Sequence, residues 1–369
     1  MRNDRINDLL IERIPSYPLP PDNLIIDVTR ACNLKCPICF TESPKKSNDL
    51  SLEKFTLLVG RYKGKRIIIS GGEPTLREDL FEMIKIVRKK KNIPILATNG
   101  IKLSDYSYTL KLKKSGLEYI LFSFNGFNDR IYTKINGKKL LRVKLEALKN
   151  IKKVGMKVIL SVLLVKGVND DPSEVRKILE FSLKNNSTIK EVRIRTISPF
   201  GRFIPVERHK LIELLEIVCT ALRIDKEKII NQLVFKREFD RNFNLYSLIP
   251  CKIDFLVKLK DGKVVFPISK GDIEKIKHSK LKKIRLIFLL LRTLEVKNII
   301  KWFIDFFIFQ EKKLFYFPCF LKVGLRRHPD EFSLDMRQIR KCTTWYFTGE
   351  KFLPACYFLV RKNKILSHK

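Results

Sequence analysis

The sequence predicts an α/β protein. Six strand–helix repeats form a partial parallel barrel over residues 23–202, with a lead-in at 1–22 and an α+β extension at 203–369. Short β-branched apolar runs alternate with longer segments whose apolar residues recur at helical spacing, the pattern of a parallel sheet covered by helices. The glycine-rich and polar stretches suited to chemistry fall at or just after the ends of those runs, where a barrel of such units opens its mouth. A chain of 369 residues is long enough for one large domain and an appendage.

Residues 1–22 are charged and proline-containing with no apolar core segment, which predicts neither a signal peptide nor a membrane anchor. Residues 23–30 (NLIIDVTR) read as a buried strand, and residues 51–59 as a helix capped by Ser51. A second strand spans 66–70. The helix after it, 78–91, puts Leu80, Phe81, Ile84 and Val87 on one face. Strands at 94–98 and 119–124 bracket a helix at 104–114. A long basic helix at 140–154 leads to a fifth strand at 157–165. A capped helix at 173–184 precedes the sixth strand, 191–197, which Pro199-Phe200-Gly201 stops.

Directly after the first strand come Cys32, Cys36 and Cys39, spaced CxxxCxxC. Three thiolates from one short loop can hold three corners of a cubane [4Fe–4S] cluster, which leaves the fourth iron open to a small-molecule ligand. The alternatives are a zinc site and inert core thiols. No histidine lies near the loop, the next cysteine is far downstream, and a disulfide framework does not suit a chain of this size without an export signal.

With Phe40 after the last cysteine, this loop resembles the signature of radical S-adenosylmethionine (SAM) enzymes. The resemblance continues through Ser70-Gly71-Gly72-Glu73-Pro74, similar to that family's GGEP motif, then Ala97-Thr98-Asn99-Gly100 and Ser123-Phe124-Asn125-Gly126. It implies a (βα)6 partial TIM barrel, a [4Fe–4S] cluster on Cys32, Cys36 and Cys39, and bound SAM. Gly71, Gly72 and Glu73 are then expected at the methionyl amine, Thr98, Asn99 and Ser123 at the ribose and carboxylate, and Asn169 near the adenine. Glycines there let backbone approach a ligand closely, although Gly-Gly after a strand also makes an ordinary turn. The implied reaction takes one electron from a low-potential donor of the ferredoxin or flavodoxin type. It cleaves SAM to methionine and a 5′-deoxyadenosyl radical, which abstracts hydrogen from an unactivated carbon. No side chain is singled out as catalytic.

In the second half Cys219 lies among Leu214, Leu215, Ile217, Val218 and Leu222 on a helix and reads as a buried thiol. Cys251, Cys319, Cys342 and Cys356 fall on turns and strand edges, around hairpins at 255–267 and 343–354, and make a ligand set for a second [4Fe–4S] cluster. Scattered core thiols and structural zinc are the competing readings. Residues 261–268, 333–342 and 353–357, with 195–202 before them, resemble parts of archaeal tetraether lipid synthase, which joins unactivated lipid termini. Only 31 residues precede Cys32, so that family's preceding cysteine-bearing segment has no counterpart, and the surroundings of Cys319 differ.

Residues 281–310 mix apolar runs with Arg285, Arg292, Glu295, Lys297, Lys301 and Asp305, too many charges for a membrane span. They suit a helix lying on an anionic membrane surface or a core-packing helix pair. The net charge of +36 favours an anionic partner: nucleic acid, phospholipid or a phosphorylated substrate. No nucleic-acid-binding signature is visible, which disfavours the first. Lysine- and isoleucine-rich composition suits an archaeal hyperthermophile. The leading expectation is a cytoplasmic radical SAM enzyme, peripheral at the membrane, acting in lipid biosynthesis. The alternatives are a peptide- or cofactor-modifying enzyme and a basic nucleic-acid-binding protein with a structural cluster.

Overall fold

The computed structural model describes residues 18–39, 41, 49–198, 201–202, 207–243, 248, 251–279, 281–293, 320–328 and 339–358. In chain order the core runs β1 (Asn23–Thr29), α1 (Leu52–Gly60), β2 (Arg66–Gly71), α2 (Leu80–Lys89), β3 (Ile93–Thr98), α3 (Tyr106–Lys114), β4 (Tyr119–Ser123), α4 (Asp129–Asn136), α5 (Leu141–Lys153), β5 (Lys157–Leu164), α6 (Pro172–Lys184) and β6 (Ile189–Thr196). There follow α7 (Leu211–Leu222), α8 (Lys226–Phe243), β7 (Lys252–Lys260), β8 (Lys263–Val265), α9 (Lys270–Lys277), α10 (Lys282–Thr293), β9 (Leu321–Arg326), β10 (Thr344–Phe347) and β11 (Phe352–Pro354).

Polar caps start the helices where the sequence places them. The Ser51 hydroxyl accepts from Lys54 N at 3.2 Å, and the carboxylates of Asp105 and Asp171 accept from the first turns of α3 and α6. Helix α4 is an addition to the sequence reading. Asn128 caps it and Gly137 ends it at φ 73°, so eight residues between β4 and α5 fold as a separate helix of about two turns against the cysteine loop.

The sheet order is β11-β10-β1-β2-β3-β4-β5-β6-β9-β7-β8. Strands β1 to β6 are parallel neighbours in sequence order, as six repeats require. The extension adds strands to both edges: β9 runs parallel to β6 and carries antiparallel β7, while β10 runs parallel to β1 and carries antiparallel β11. Unpaired edges at β1 and β6 would otherwise present a row of open backbone groups. On the edge of β7 away from β9, ahead of its pairing with β8 at 258–260, Gln232 of α8 takes the place of a strand. Its amide donates to Leu256 O at 3.1 Å and accepts from Leu256 N at 2.9 Å.

Strand alternation divides the sheet into two faces. Leu24, Ile26, Ile67, Ile69, Leu96, Ile120, Leu160 and Val192 pack with the helices in one core. The opposite, inner face carries Asp27, Ser70, Ser123, Ser161, Glu191, Arg193 and Arg195. Cys219 is buried on α7, as read from the sequence. On α10, Leu286 and Leu289 are buried while Ile284, Ile287 and Phe288 are exposed, as is Leu281 just before it. Residues 294–310, with Lys297, Lys301 and Asp305, lie outside the described residues, as do Phe40 and Cys319.

The join of β9 to β7 is held by charge. Asp254 pairs with Arg326 and, at 3.5 Å, with Lys322; the Asp254 side chain is 9% exposed. Burial alone would raise the carboxyl, but Arg326, Lys322, Lys252 and Lys236 outweigh it and hold it well below the usual range. Its contribution to stability is therefore complete above the unfolded carboxylate range and is lost on acidification below it. Asp254→Asn removes the carboxylate shared by Arg326, Lys322 and Lys252, leaving Glu191 alone against the first two, and is expected to cost about 3–5 kcal/mol by urea unfolding. Breaking the exposed pair Lys85–Glu82 (3.3 Å) by Glu82→Gln is expected to leave the midpoint unchanged.

Candidate functional site

The CxxxCxxC loop is fastened at both ends. Gly72 N donates to Thr29 O at 2.8 Å and Glu73 N to Ala31 O at 2.8 Å, so the turn after β2 is zipped to the chain entering the loop. At the far end Cys39 N donates to Arg202 O at 2.7 Å and Arg202 N to Cys39 O at 2.9 Å, tying the loop to the segment after β6. The two glycines have a reason the sequence reading did not supply. A Cβ on Gly71 would stand 2.0 Å from Thr29 O, and one on Gly72 would stand 2.2 Å from Ala31 O. What they admit is the backbone of the cysteine loop itself.

Glu73 is fully buried and spent inside the protein. Its Oε1 accepts from Thr75 N, Thr75 Oγ1 and Thr98 Oγ1, and its Oε2 accepts from Asn99 N at 2.7 Å. The Thr98 hydroxyl also accepts from Gly100 N at 2.9 Å. Glu73 and Thr98 thus lock the turn after β2 to the end of β3. Asn99 reaches on to the cysteine loop, donating from Nδ2 to Asn33 Oδ1 at 2.8 Å. The four motifs therefore meet at one mouth, as the repeat count predicted.

Three asparagines form a relay to the middle cysteine. Asn169 Nδ2 donates to Asn125 O at 2.8 Å, Leu163 N donates to Asn125 Oδ1 at 3.0 Å, and Asn125 Nδ2 donates to Asn136 Oδ1 at 3.0 Å. Asn136 Nδ2 then points at Cys36 Sγ, 3.5 Å away. Asn169, expected near the adenine, spends its amide inside the protein: its Oδ1 accepts from Val165 N and its Nδ2 donates to Asn125 O and Leu163 O, with the residue 1% exposed. A donor aimed at a ligating sulfur stabilises the more negative, reduced state of a cluster. Asn136→Leu is expected to move the cluster midpoint to a more negative potential, read by an EPR-monitored redox titration.

Lys144 of α5 was missed by the sequence reading. It is fully buried, and its Nζ donates to Asn99 O and to Ser123 O, each at 2.7 Å, with Phe122 and Tyr132 against it at 5.3 and 5.7 Å. Burial pulls its pKa down to about 8, while Glu73 and Cys36 oppose that pull. One ammonium thus pins together the C-terminal ends of β3 and β4, at Asn99 and Ser123, two of the residues expected at SAM.

Cys32, Cys36 and Cys39 are partly exposed at this mouth. Burial pushes the Cys32 thiol up to about 11 and also raises Cys36, against the opposing influence of Asn136, Lys144 and Arg202. Iron binding deprotonates such thiols outright. Three convergent thiols, with a donor and two cations facing one of them, fit a cubane with one open iron.

A second thiol set forms across the two edges of the sheet. Cys251 enters β7, Cys342 precedes β10 and Cys356 follows β11, and the first two each hydrogen-bond the Cys356 thiol. That contact, backed by the backbone at Cys356 and Ala355, brings Cys342 down to about 6 despite burial. Cys356 itself is held well above the usual thiol range. Three of the four cysteines read from the sequence as a second cluster site are thus together. Among the described residues no group of His, Cys, Asp and Glu is arranged around a single metal ion; a cubane spreads its cysteines over separate irons.

A family model described as the Radical SAM superfamily matches residues 26–181. The 7,8-dihydro-6-hydroxymethylpterin dimethyltransferase of Methanocaldococcus jannaschii is 30% identical over 388 aligned positions, covering 90% of this chain and 75% of that protein. A probable GTP 3′,8-cyclase of Pyrococcus abyssi is 28% identical over 190 positions, covering 50% of this chain and 60% of the cyclase. Among solved structures, SuiB of Streptococcus suis bound to S-adenosylmethionine overlaps with a TM-score of 0.46 and 19% identity, covering 54% of this chain and 46% of that one.

Proposed function

The chain belongs to the radical SAM superfamily, and from that premise we propose that it modifies a small nitrogen heterocycle, pterin-like or nucleotide-like, with a second [4Fe–4S] cluster held by Cys251, Cys342 and Cys356. The carrying observation is the convergence of the Cys32, Cys36 and Cys39 loop with Glu73, Asn99 and Ser123 at one mouth, pinned by Lys144. The substrate class is supported by the names of the relatives, a pterin dimethyltransferase and a GTP cyclase. A polar inner face, with Glu191, Arg193, Arg195 and Ser161, also suits a heterocycle better than an alkyl chain.

Cys32, Cys36 and Cys39 would hold the cluster with SAM beside Asn99 and Ser123, and the pair would supply one-electron cleavage of SAM to methionine and a 5′-deoxyadenosyl radical able to take a hydrogen atom from substrate carbon. The chain's own part is placement. Glu73 and Lys144 set the ends of β2, β3 and β4 as one rigid rim, Asn136 directs its N–H at Cys36, and the backbone of Arg202 fastens the far end of the cysteine loop. The electron enters from a low-potential donor of the ferredoxin or flavodoxin type.

Anaerobically purified protein is expected to contain about eight irons and, when reduced with SAM, to release 5′-deoxyadenosine. Cys36→Ala is expected to keep about half the iron and lose that product; Cys356→Ala is expected to lose the other half. Zinc in place of iron, or no SAM cleavage, sinks the reading.

The exposed Ile284, Ile287 and Phe288 on α10 and Leu281 just before it, beside Lys282, Lys283 and Arg285, support a second reading in which this face rests on an anionic membrane. No helix among the described residues is long and apolar enough to cross one. Sedimentation with phosphatidylserine vesicles that Phe288→Glu abolishes would support it, and equal sedimentation would remove it.

A further inference from the structure

Along β6 the inner face carries Glu191, Arg193 and Arg195, and along neighbouring β9 it carries Lys322 and Arg326. Most of this charge is matched internally. Glu191 accepts from Arg193 Nε at 2.9 Å, meets Arg326 at 3.4 Å and Lys322 at 3.5 Å, while Asp254 takes the other side of Arg326. Arg195 is the exception. It stands nearest the mouth, in register with Leu163 of β5 on one side and Arg326 of β9 on the other.

Among the described residues Arg195 has no carboxylate partner, and its Nε is buried without a hydrogen bond. Burial and the neighbouring Arg193 both work against its charge. Two further groups face the same place. Ser161 lies on β5 diagonally across from Arg195, opposite Arg193; it is 4% exposed and its hydroxyl has no partner among the described residues. His328 sits just beyond β9 amid Arg193, Arg195, Arg208 and Arg326, and Arg208 Nη2 donates to its carbonyl at 3.0 Å. Burial and those four arginines keep the imidazole neutral at pH 7, so it offers an N–H without adding charge.

A guanidinium set among cations with its Nε buried and unpaired, beside a serine with a free hydroxyl, is costly unless an anion joins it. Its planar fork matches two oxygens of a phosphate or carboxylate. The place is right for substrate: β6 ends at Thr196, and Arg202, shortly after, bridges Cys39 of the cysteine loop. We infer that Arg195, Ser161 and His328 form an oxyanion subsite on the inner face that receives the phosphate-bearing end of the substrate. This rests on the reading of the inner face as the substrate chamber. It adds that the heterocycle arrives phosphorylated and is held at β5, β6 and β9, across the sheet from the SAM rim on β2 to β4.

The test is calorimetric titration of the full, cluster-reconstituted chain with inorganic pyrophosphate at fixed ionic strength, without SAM. Saturable 1:1 binding is expected, weakened at least about tenfold in Arg195→Gln and less in Arg195→Lys and Ser161→Ala. Lys149→Gln, an exposed lysine on α5 with its side chain 75% accessible, is expected to leave it unchanged. Arg195→Lys keeps a cation in the fold, so a loss confined to Arg195→Gln is not read as unfolding. Absence of saturable binding, equal binding by Arg195→Gln, or an equal loss in Lys149→Gln overturns the subsite in favour of the chain's diffuse positive charge. Tighter binding of malonate than of pyrophosphate overturns the phosphate assignment. A failure of SAM cleavage in the wild type is read separately, as 5′-deoxyadenosine, and falls on the proposed function instead.

Discussion

Lys144→Met is expected to lose about 3 kcal/mol of stability at neutral pH and about a hundredfold in SAM cleavage. The ammonium donates to two carbonyls, Asn99 O and Ser123 O, and offsets the buried carboxylate of Glu73. Methionine fills the volume and restores neither role. The loss depends on pH in a defined direction. The folded-state pKa of about 8 lies below the ordinary value of 10.5, so between those values the unfolded chain holds the proton more tightly. Wild-type stability therefore rises through that window, by up to about 3 kcal/mol, and Lys144→Met lacks the rise. Anaerobic urea titrations of the iron-free chains near pH 7 and near pH 10 should show the gap between them widening. A gap that stays constant or closes removes the buried charge from the account. Lys144 acts as a positioning residue, so the activity loss should appear in turnover even where iron content is intact.

Gly72→Ala is expected to abolish the first cluster site. A methyl there meets Ala31 O at 2.2 Å and Arg30 O at 2.6 Å, both backbone atoms that open the cysteine loop. Nothing at that contact is the flexible end of a side chain, so the loop must move or β2 must unzip from it. Iron content is expected to fall by about half and 5′-deoxyadenosine to fall at least a hundredfold, while the second thiol set keeps its metal. Gly271→Ala is the contrast. Its nearest neighbour is 3.9 Å away in the first turn of α9, and the change is expected to be neutral or slightly stabilising. Normal iron and turnover in Gly72→Ala would mean that the close approach is not needed for function.

The sequence by itself determined the six repeats, because each depends on local periodicity: the alternation of Ile67 and Ile69 in β2, and the helical spacing of Leu80, Ile84 and Val87 in α2. It determined the cysteine loop for the same reason, since three ligands within eight residues need no distant partner. It also marked Cys251, Cys342 and Cys356. It was silent on the strand additions that carry them to one place, because pairing of β10 with β1 and β9 with β6 joins residues far apart along the chain, Asn23 with Thr344 and Glu191 with Lys322. Only the tertiary structure decided that Gly72 yields to Ala31 and that Asn169 serves Asn125. It likewise decided that Asn136, 100 residues from Cys36, aims its amide at that sulfur. Lys144 was legible only as one among 75 basic residues, and Arg195 only as the first residue of the 195–202 stretch. Their distinction is burial beside particular carbonyls, or beside other cations, and charge acquires that meaning only when the fold removes it from water.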